Sequence, residues 1–215
     1  MMIRHFFVLC VALVWANAGC TTTGQKPIPP DDALNLQVKV LSAHPSANAD
    51  DKVKPVLRIW MRPVPGGIGG NPTGRAIVDL KVHGVGRVTV SLRDIESGLA
   101  AAAKVPRGQG DIGTFDPINT RVARLGTFSM NLSAPVRNYF TGLRDPESRH
   151  GLLLVYVDRP CTIHGQHGDL VLTRAGLNWI EHLDPPSADP EAPQHYKVRE
   201  DTREVVYYLL EEGTL

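Results

Sequence analysis

The stretch LLLVYV, Leu152 to Val157, runs six residues without a charge, between Gly151 and the charged turn Asp158-Arg159-Pro160. A short unbroken apolar run bounded by turn residues reads as a central strand. It predicts a fold built from strands, with flanking strands that bury one face each.

Outward from this run the pattern changes to alternation. Leu34, Leu36, Val38 and Val40 alternate with Asn35, Gln37 and Lys39, the signature of a half-buried strand. Pro55 to Met61 (PVLRIWM) predicts another. Its uncharged face, Leu57, Ile59 and Met61, is expected in the core, and Val56, Arg58 and Trp60 on the other face. Ala76–Val82 and Val88–Leu92 flank the turn Gly84-Val85-Gly86 and read as a hairpin. Val122 to Leu132 predicts a strand with Phe128, Met130 and Leu132 inward, and Asp169–Thr173 and Val205–Leu210 predict two more. One helix signal stands out, Asp94 to Lys104 (DIESGLAAAAK): Ala100–Ala103 favour helix, Asp94 can cap, Gly98 weakens it and Pro106 ends it.

Four stretches read as loops: Ser42–Asp51, the Gly/Pro-rich Pro63–Gly74, Arg107–Thr120, and the acidic, proline-rich Asp184–Gln194. The 20 glycines and 17 prolines of the 215 residues point the same way, to many turns and short elements. The expected class is all-β, a β-sandwich of about eight or nine short strands with one short helix, a barrel being the alternative.

The N-terminus reads as an address. Arg4 lies in a short positive region, and Phe6–Trp15 (FFVLCVALVW) is an apolar run shorter than the roughly 20 residues of a membrane-spanning helix. Small residues follow, so residues 1–19 read as a signal peptide. Two cleavage sites overlap. Ala16-Asn17-Ala18 fits the A-x-A rule, and Ala18-Gly19-Cys20 resembles the end of a bacterial lipobox, with Asn17 where that pattern usually has Leu. The second resemblance implies cleavage before Cys20, a covalent lipid (palmitate and diacylglycerol) on that residue, and no other cofactor. Residues 20–33 then form the lipidated cysteine and a tether. Thr21–Pro30 (TTTGQKPIPP) has no hydrophobic period, and Thr21–Ala33 can reach about 40 Å at roughly 3.3 Å per residue. By the same resemblance Thr21 after the cysteine implies the outer membrane, facing the periplasm. Residues 34–215 are expected to form a single domain. The first cut instead predicts a soluble periplasmic protein in which Cys20 and Cys161 pair, Cys10 leaving with the signal.

Without residues 1–19, which contain Arg4, the chain has 22 Lys+Arg against 22 Asp+Glu. That balance excludes a basic field for nucleic acid. No G-x-S-x-G elbow, H-E-x-x-H pair or phosphate-binding Gly-rich loop followed by a helix is present. The richest run is Cys161-Thr-Ile-His164-Gly-Gln-His167-Gly-Asp169. Cys161, His164, His167 and Asp169 form a ligand mix that zinc accepts, and Cys161 beside a histidine is a candidate nucleophile. The plainer reading is a turn between two strands. Trp60, Trp179 and the pair Tyr207-Tyr208 mark either a binding surface or the core.

Two segments resemble the TssJ-type outer-membrane lipoproteins of type VI secretion. LNLQVKVLSAHPSANADDKVKPVLRIWM (Leu34–Met61) is similar to that family's strand, polar loop and proline-led strand, with Pro55, Val56, Arg58, Ile59 and Trp60 on its pattern. GLLLVYVDRP (Gly151–Pro160) resembles its later apolar strand. The resemblance implies a non-catalytic module of a secretion-system envelope complex that binds the periplasmic end of an inner-membrane partner. Its candidate contact is the Ser42–Asp51 loop, with Ser42, His44, Asn48, Asp50 and Asp51 as contact residues.

Overall fold

A computed structural model describes residues 27–41, 56–66, 72–83, 86–106, 113–132, 139–165, 168–183, 195–199 and 202–211. The signal segment, Cys20, residues 21–26 of the tether, the Ser42–Asp51 contact loop, His167 and the Asp184–Gln194 loop lie outside these residues. Within them the class is all-β with one α-helix, as the sequence pattern predicts. The strands are β1 (Ala33–Leu41), β2 (Val56–Pro65), β3 (Val78–His83), β4 (Gly86–Ser91), β5 (Thr114–Asp116), β6 (Val122–Asn131) and β7 (Tyr139–Arg144). After them come β8 (Gly151–Val157), β9 (Cys161–Gly165), β10 (Gly168–Leu172), β11 (Gly176–His182), β12 (Tyr196–Arg199) and β13 (Glu204–Glu211). Helix α1 is Leu92–Ala102.

The apolar run Leu152–Val157 is the junction of the fold. β8 pairs along one edge with β11 over its whole length. Its other edge is shared: β6 takes the end at Val155–Val157 and β7 takes the end at Gly151–Leu152. From this fork two leaves diverge, β6-β2-β3 on one side and β7-β13-β1-β4 on the other. β1 and β13 pair in parallel, and the remaining ladders are antiparallel. A second sheet, β10-β9-β5, stands apart from the first.

Side-chain alternation explains why β8 is apolar throughout. Leu152 and Leu154 point into a core built from β1, β2, β6, β13 and α1, including Leu34, Leu36, Leu57, Ile59, Met61 and Tyr207. Val155 and Val157 point the other way, into a second core with Phe115, Cys161, Ile163, Leu170, Leu172 and Ile180. A strand with a core on each face has no solvent side and needs no polar residues. The small sheet thus covers the back of β8 and β11, while the two leaves enclose the front.

Helix α1 closes the front core with Ile95 and Leu99, both fully buried. Its cap is Ser91, whose hydroxyl accepts from the Asp94 N–H at 3.0 Å. Asp94 is therefore in the first turn and is not the cap, a correction of one turn boundary. Asp32 reinforces this end, accepting from the Ser91 hydroxyl and from the Arg93 N–H, each at 2.7 Å. Gly98 is not a weak point of the helix: a Cβ there would lie 2.6 Å from Ile77 Cγ1, so glycine is what lets Ile77 cross the helix closely.

Three sequence expectations change. β3 and β4 do not pair as a hairpin. They lie at opposite ends of the strand order, β3 against β2 and β4 against β1, so the chain switches leaves between them. The Cys161–Asp169 run is not a bare turn but most of a hairpin, β9 paired with β10. And β6 is reversed. Phe128 and Leu132 are 39% and 46% exposed, because Phe128 stands directly across from the outward Trp60 while Thr127 and Ser129 stand across from the core residues Met61 and Ile59.

Candidate functional site

The two-residue period of β9 divides the run with the most chemistry. Cys161 and Ile163 are buried on the inner face, in the back core. His164 is an odd number of positions from Cys161 and points outward. Burial pushes the Cys161 thiol up to about 11, and the nearby Asp158 charge adds to the shift. A thiol held protonated in an apolar core is neither a nucleophile nor a ready metal ligand. Cys161 is free.

On the outer face the hairpin brings His164 and Asp169 together, since the register pairs them directly. His164 Nδ1 lies 2.9 Å from Asp169 Oδ1. Asp116 of β5 joins from the other side, its Oδ2 4.0 Å from His164 Nε2. The imidazole thus sits between two carboxylates contributed by adjacent strands. All three side chains are at least half exposed, so water screens the arrangement. Gly113, at a φ of +129°, makes the approach of β5 possible: a Cβ there would lie 2.2 Å from the His164 carbonyl oxygen. Among the described residues no group of three or more His, Cys, Asp or Glu side chains is placed to hold a metal ion.

A second polar cluster went unnoticed in the sequence. It lies where the β7–β8 turn meets β11 and β12. Asp145 is 1% exposed and Glu181 8% exposed. Asp145 Oδ1 accepts from the Ser148 N–H at 2.7 Å, the Ser148 hydroxyl at 2.9 Å and the Glu147 N–H at 3.1 Å. Asp145 Oδ2 is ion-paired with Arg199 Nη1, which also lies 3.9 Å from Glu181 Oε1. Glu181 Oε1 faces His150 Nδ1 at 2.8 Å and the Ser148 hydroxyl at 3.1 Å. Burial pushes the Asp145 carboxyl up, but the Ser148 bonds, the Arg199 charge and the Glu147 N–H outweigh it and leave the group below its ordinary value. A serine, a histidine and two carboxylates suggest catalysis at first sight. The hydrogen bonds do not order them as a serine–histidine pair: the Ser148 hydroxyl donates to the Asp145 and Glu181 carboxylates and accepts from the His150 backbone N–H, while the His150 ring faces Glu181. The cluster is a charge-pairing node that fixes a turn.

The aromatic candidates separate in the same way. Trp179 and Tyr207 are buried in the front core. Trp60 is on the outside of β2, 5.1 Å from the Arg58 guanidinium carbon that lies over its ring. No helix among the described residues is long and apolar enough to cross a membrane. No family model matches the chain, and searches among curated proteins and among solved structures likewise find no match.

Proposed function

We propose that the chain is a lipid-anchored, periplasm-facing lipoprotein of the outer membrane that acts as a non-catalytic interaction and assembly module. The position of Cys161 carries this reading. The thiol of the one run with metal or catalytic character is buried, protonated and separated by a strand's thickness from His164 and Asp169. The N-terminal pattern supports the anchor, with Cys20 as the lipidated residue and residues 21–33 as the spacer. The resemblance of Leu34–Met61 and Gly151–Pro160 to TssJ-type lipoproteins supports a place in a secretion-system envelope complex.

Intact mass of protein purified from membranes, measured beside a Cys20→Ser variant, tests the anchor. The expected mass is that of a chain beginning at Cys20 plus acyl groups, absent from the variant. An unmodified chain beginning at Gly19 refutes the lipoprotein reading and favours the soluble form. The Cys20–Cys161 bridge of that form must reach a sulfur inside the back core, so reducing-agent dependence of folding is its signature.

A further inference from the structure

The outer face of the β3-β2-β6 leaf departs from the rule that strands turn apolar residues inward and polar ones outward. Trp60 and Phe128 are directly opposed on this face, and Leu132 follows, exposed. Around the aromatic pair lie Arg58, Arg62, Lys81 and Arg124, with Asp79 as the acid among the described outward residues of these two ladders. Asp79 is already taken. Arg58 Nε and Nη2 donate to its two oxygens at 2.8 and 2.7 Å. Those bonds, opposed by partial burial and helped by the Trp60 indole and the Arg62 charge, hold its carboxyl below the ordinary range.

Arg62 and Arg124 stand one row apart, since Arg62 pairs with Gly126 and Val64 with Arg124. The Nε atoms of both are buried and have no hydrogen-bond acceptor among the described residues. Among the described residues no carboxylate is ion-paired with either. Among its described residues the face therefore has a surplus of positive charge, concentrated on arginines, around an aromatic pair. Arginine and large aromatics are the residues that dominate protein interfaces, and the planar guanidinium matches a carboxylate.

We propose that this face is a docking surface for an acidic segment of a partner protein, its apolar side chains on Trp60 and Phe128 and its carboxylates on Arg62 and Arg124. The inference rests on the interaction-module reading and supplies its contact surface. A protein segment suits the face better than an anionic bilayer. The embedded Asp79 and the predominance of arginine favour discrete carboxylates over a uniform negative plane, which lysines serve equally well.

The test uses the full chain carrying Cys20→Ser, so that no lipid contributes and the anchor question stays separate. The probe is a fluorescein-labelled peptide of alternating glutamate and valine, read by anisotropy. Vesicles of phosphatidylethanolamine and phosphatidylglycerol form a second arm. Binding of the peptide should weaken with salt, and Arg62→Glu with Arg124→Glu should lower affinity at least about tenfold. The same charge change on the other leaf, Arg87→Glu with Lys39→Glu, should change it by less than about twofold. The milder pair Arg62→Gln with Arg124→Gln, at least about threefold weaker, serves if the reversed pair does not fold. Equal binding by parent and Arg62/Arg124 variants, vesicle binding without peptide binding, or no binding in either arm overturns the proposal.

Discussion

Replacing Arg199 by Met removes a guanidinium ion-paired with two buried carboxylates, Asp145 and Glu181, while keeping the approximate volume of the side chain. Asp145 is 1% exposed and Glu181 8% exposed, so neither charge is well solvated by water once the partner is gone. Breaking a buried ion pair from one side costs about 3–5 kcal/mol, because the remaining charge is left without compensation. Two features of the cluster reduce that figure. The Arg199 side chain is 32% exposed, so part of its attraction is screened. Three donors from Glu147 and Ser148 stay on Asp145 Oδ1. The expected loss is therefore about 2–4 kcal/mol at neutral pH, a fall in Tm of roughly 4–16 °C at the 2–4 °C per kcal/mol of a domain this size. Thermal unfolding followed by circular dichroism measures it. The pH dependence gives a sharper check. The folded Asp145 carboxyl titrates below its unfolded value, so its pairing stabilises the fold above the unfolded value of 3.8 and stops doing so as the pH falls through the folded one. The gap between wild type and variant should thus narrow on acidification. Combining Arg199→Met with Asp145→Asn should restore part of the loss, since no ionised Asp145 is then stranded. A fall in Tm under 2 °C at pH 7, or a gap that widens toward pH 3, refutes the argument that this cluster is held by charge compensation.

The other predictions follow from single contacts. Gly98→Ala should destabilise by about 1–2 kcal/mol in denaturant titration, because overpacking against Ile77 outweighs the gain of up to about 1 kcal/mol in helix propensity. In the Cys20→Ser chain after signal removal, Cys161 should react with a thiol reagent at pH 8 at least roughly a hundredfold more slowly in the native protein than in denaturant, given its burial and a thiol titrating near 11. Asp158→Asn should lower Tm at pH 7, and by progressively less as the pH falls through about 2. Burial raises the Asp158 carboxyl, yet the Arg159 bonds and the Arg121 N–H and guanidinium bring it down to about 2, so its stabilisation fades below 3.8 and is lost as the pH falls through about 2. Phe128→Ser should change stability by less than about 1 kcal/mol, against about 2–4 kcal/mol for Leu125→Ser on the opposite face of the same strand, measured side by side.

The parts of the fold that the sequence makes visible are those where one physical cue is strong. The unbroken run at Leu152 predicts a central strand and becomes one with a core on each face. The alternation at Leu34 and the uncharged face Leu57, Ile59 and Met61 are buried as expected. β11 escaped notice because Asn178 and Glu181 are buried in it, Asn178 bonded to the Arg174 and Gly176 carbonyls at its own start and Glu181 to Ser148 and His150, so its pattern is not apolar alternation. β12 and β5 are too short, at four and three residues, to show a period. The candidate site was half visible. Proximity in sequence grouped Cys161 with His164 and Asp169, but in a strand parity decides who meets whom, and parity separates the thiol from the imidazole. Asp116 and the Asp145–Glu181–Arg199 cluster depend on pairings between distant strands that no local window contains.

The reversal of β6 has a cost. Turning Phe128 outward forgoes part of the roughly 1.5–3 kcal/mol that burying it would yield. Turning Ser129 inward leaves its hydroxyl buried without a partner, a penalty of about 1–3 kcal/mol. A slip of one residue against β2 would exchange the two faces and remove both costs locally. The rest of the strand forbids it. Ala123 and Leu125 must face the front core, and Val122 the back core, so the register is fixed at the β8 end before the chain reaches Phe128. A sequence free of other demands would have placed its polar residues at 128 and 132 and its apolar ones at 127 and 129. That it does the opposite, beside Trp60 and two arginines without ion-paired carboxylates, is the kind of local conflict that a folded chain tolerates where its surface has a second task. Contact with a partner would recover the burial that Phe128 forgoes and bring carboxylates to Arg62 and Arg124, which have no ion-paired carboxylate among the described residues, so the cost to the isolated fold becomes part of the driving force for association.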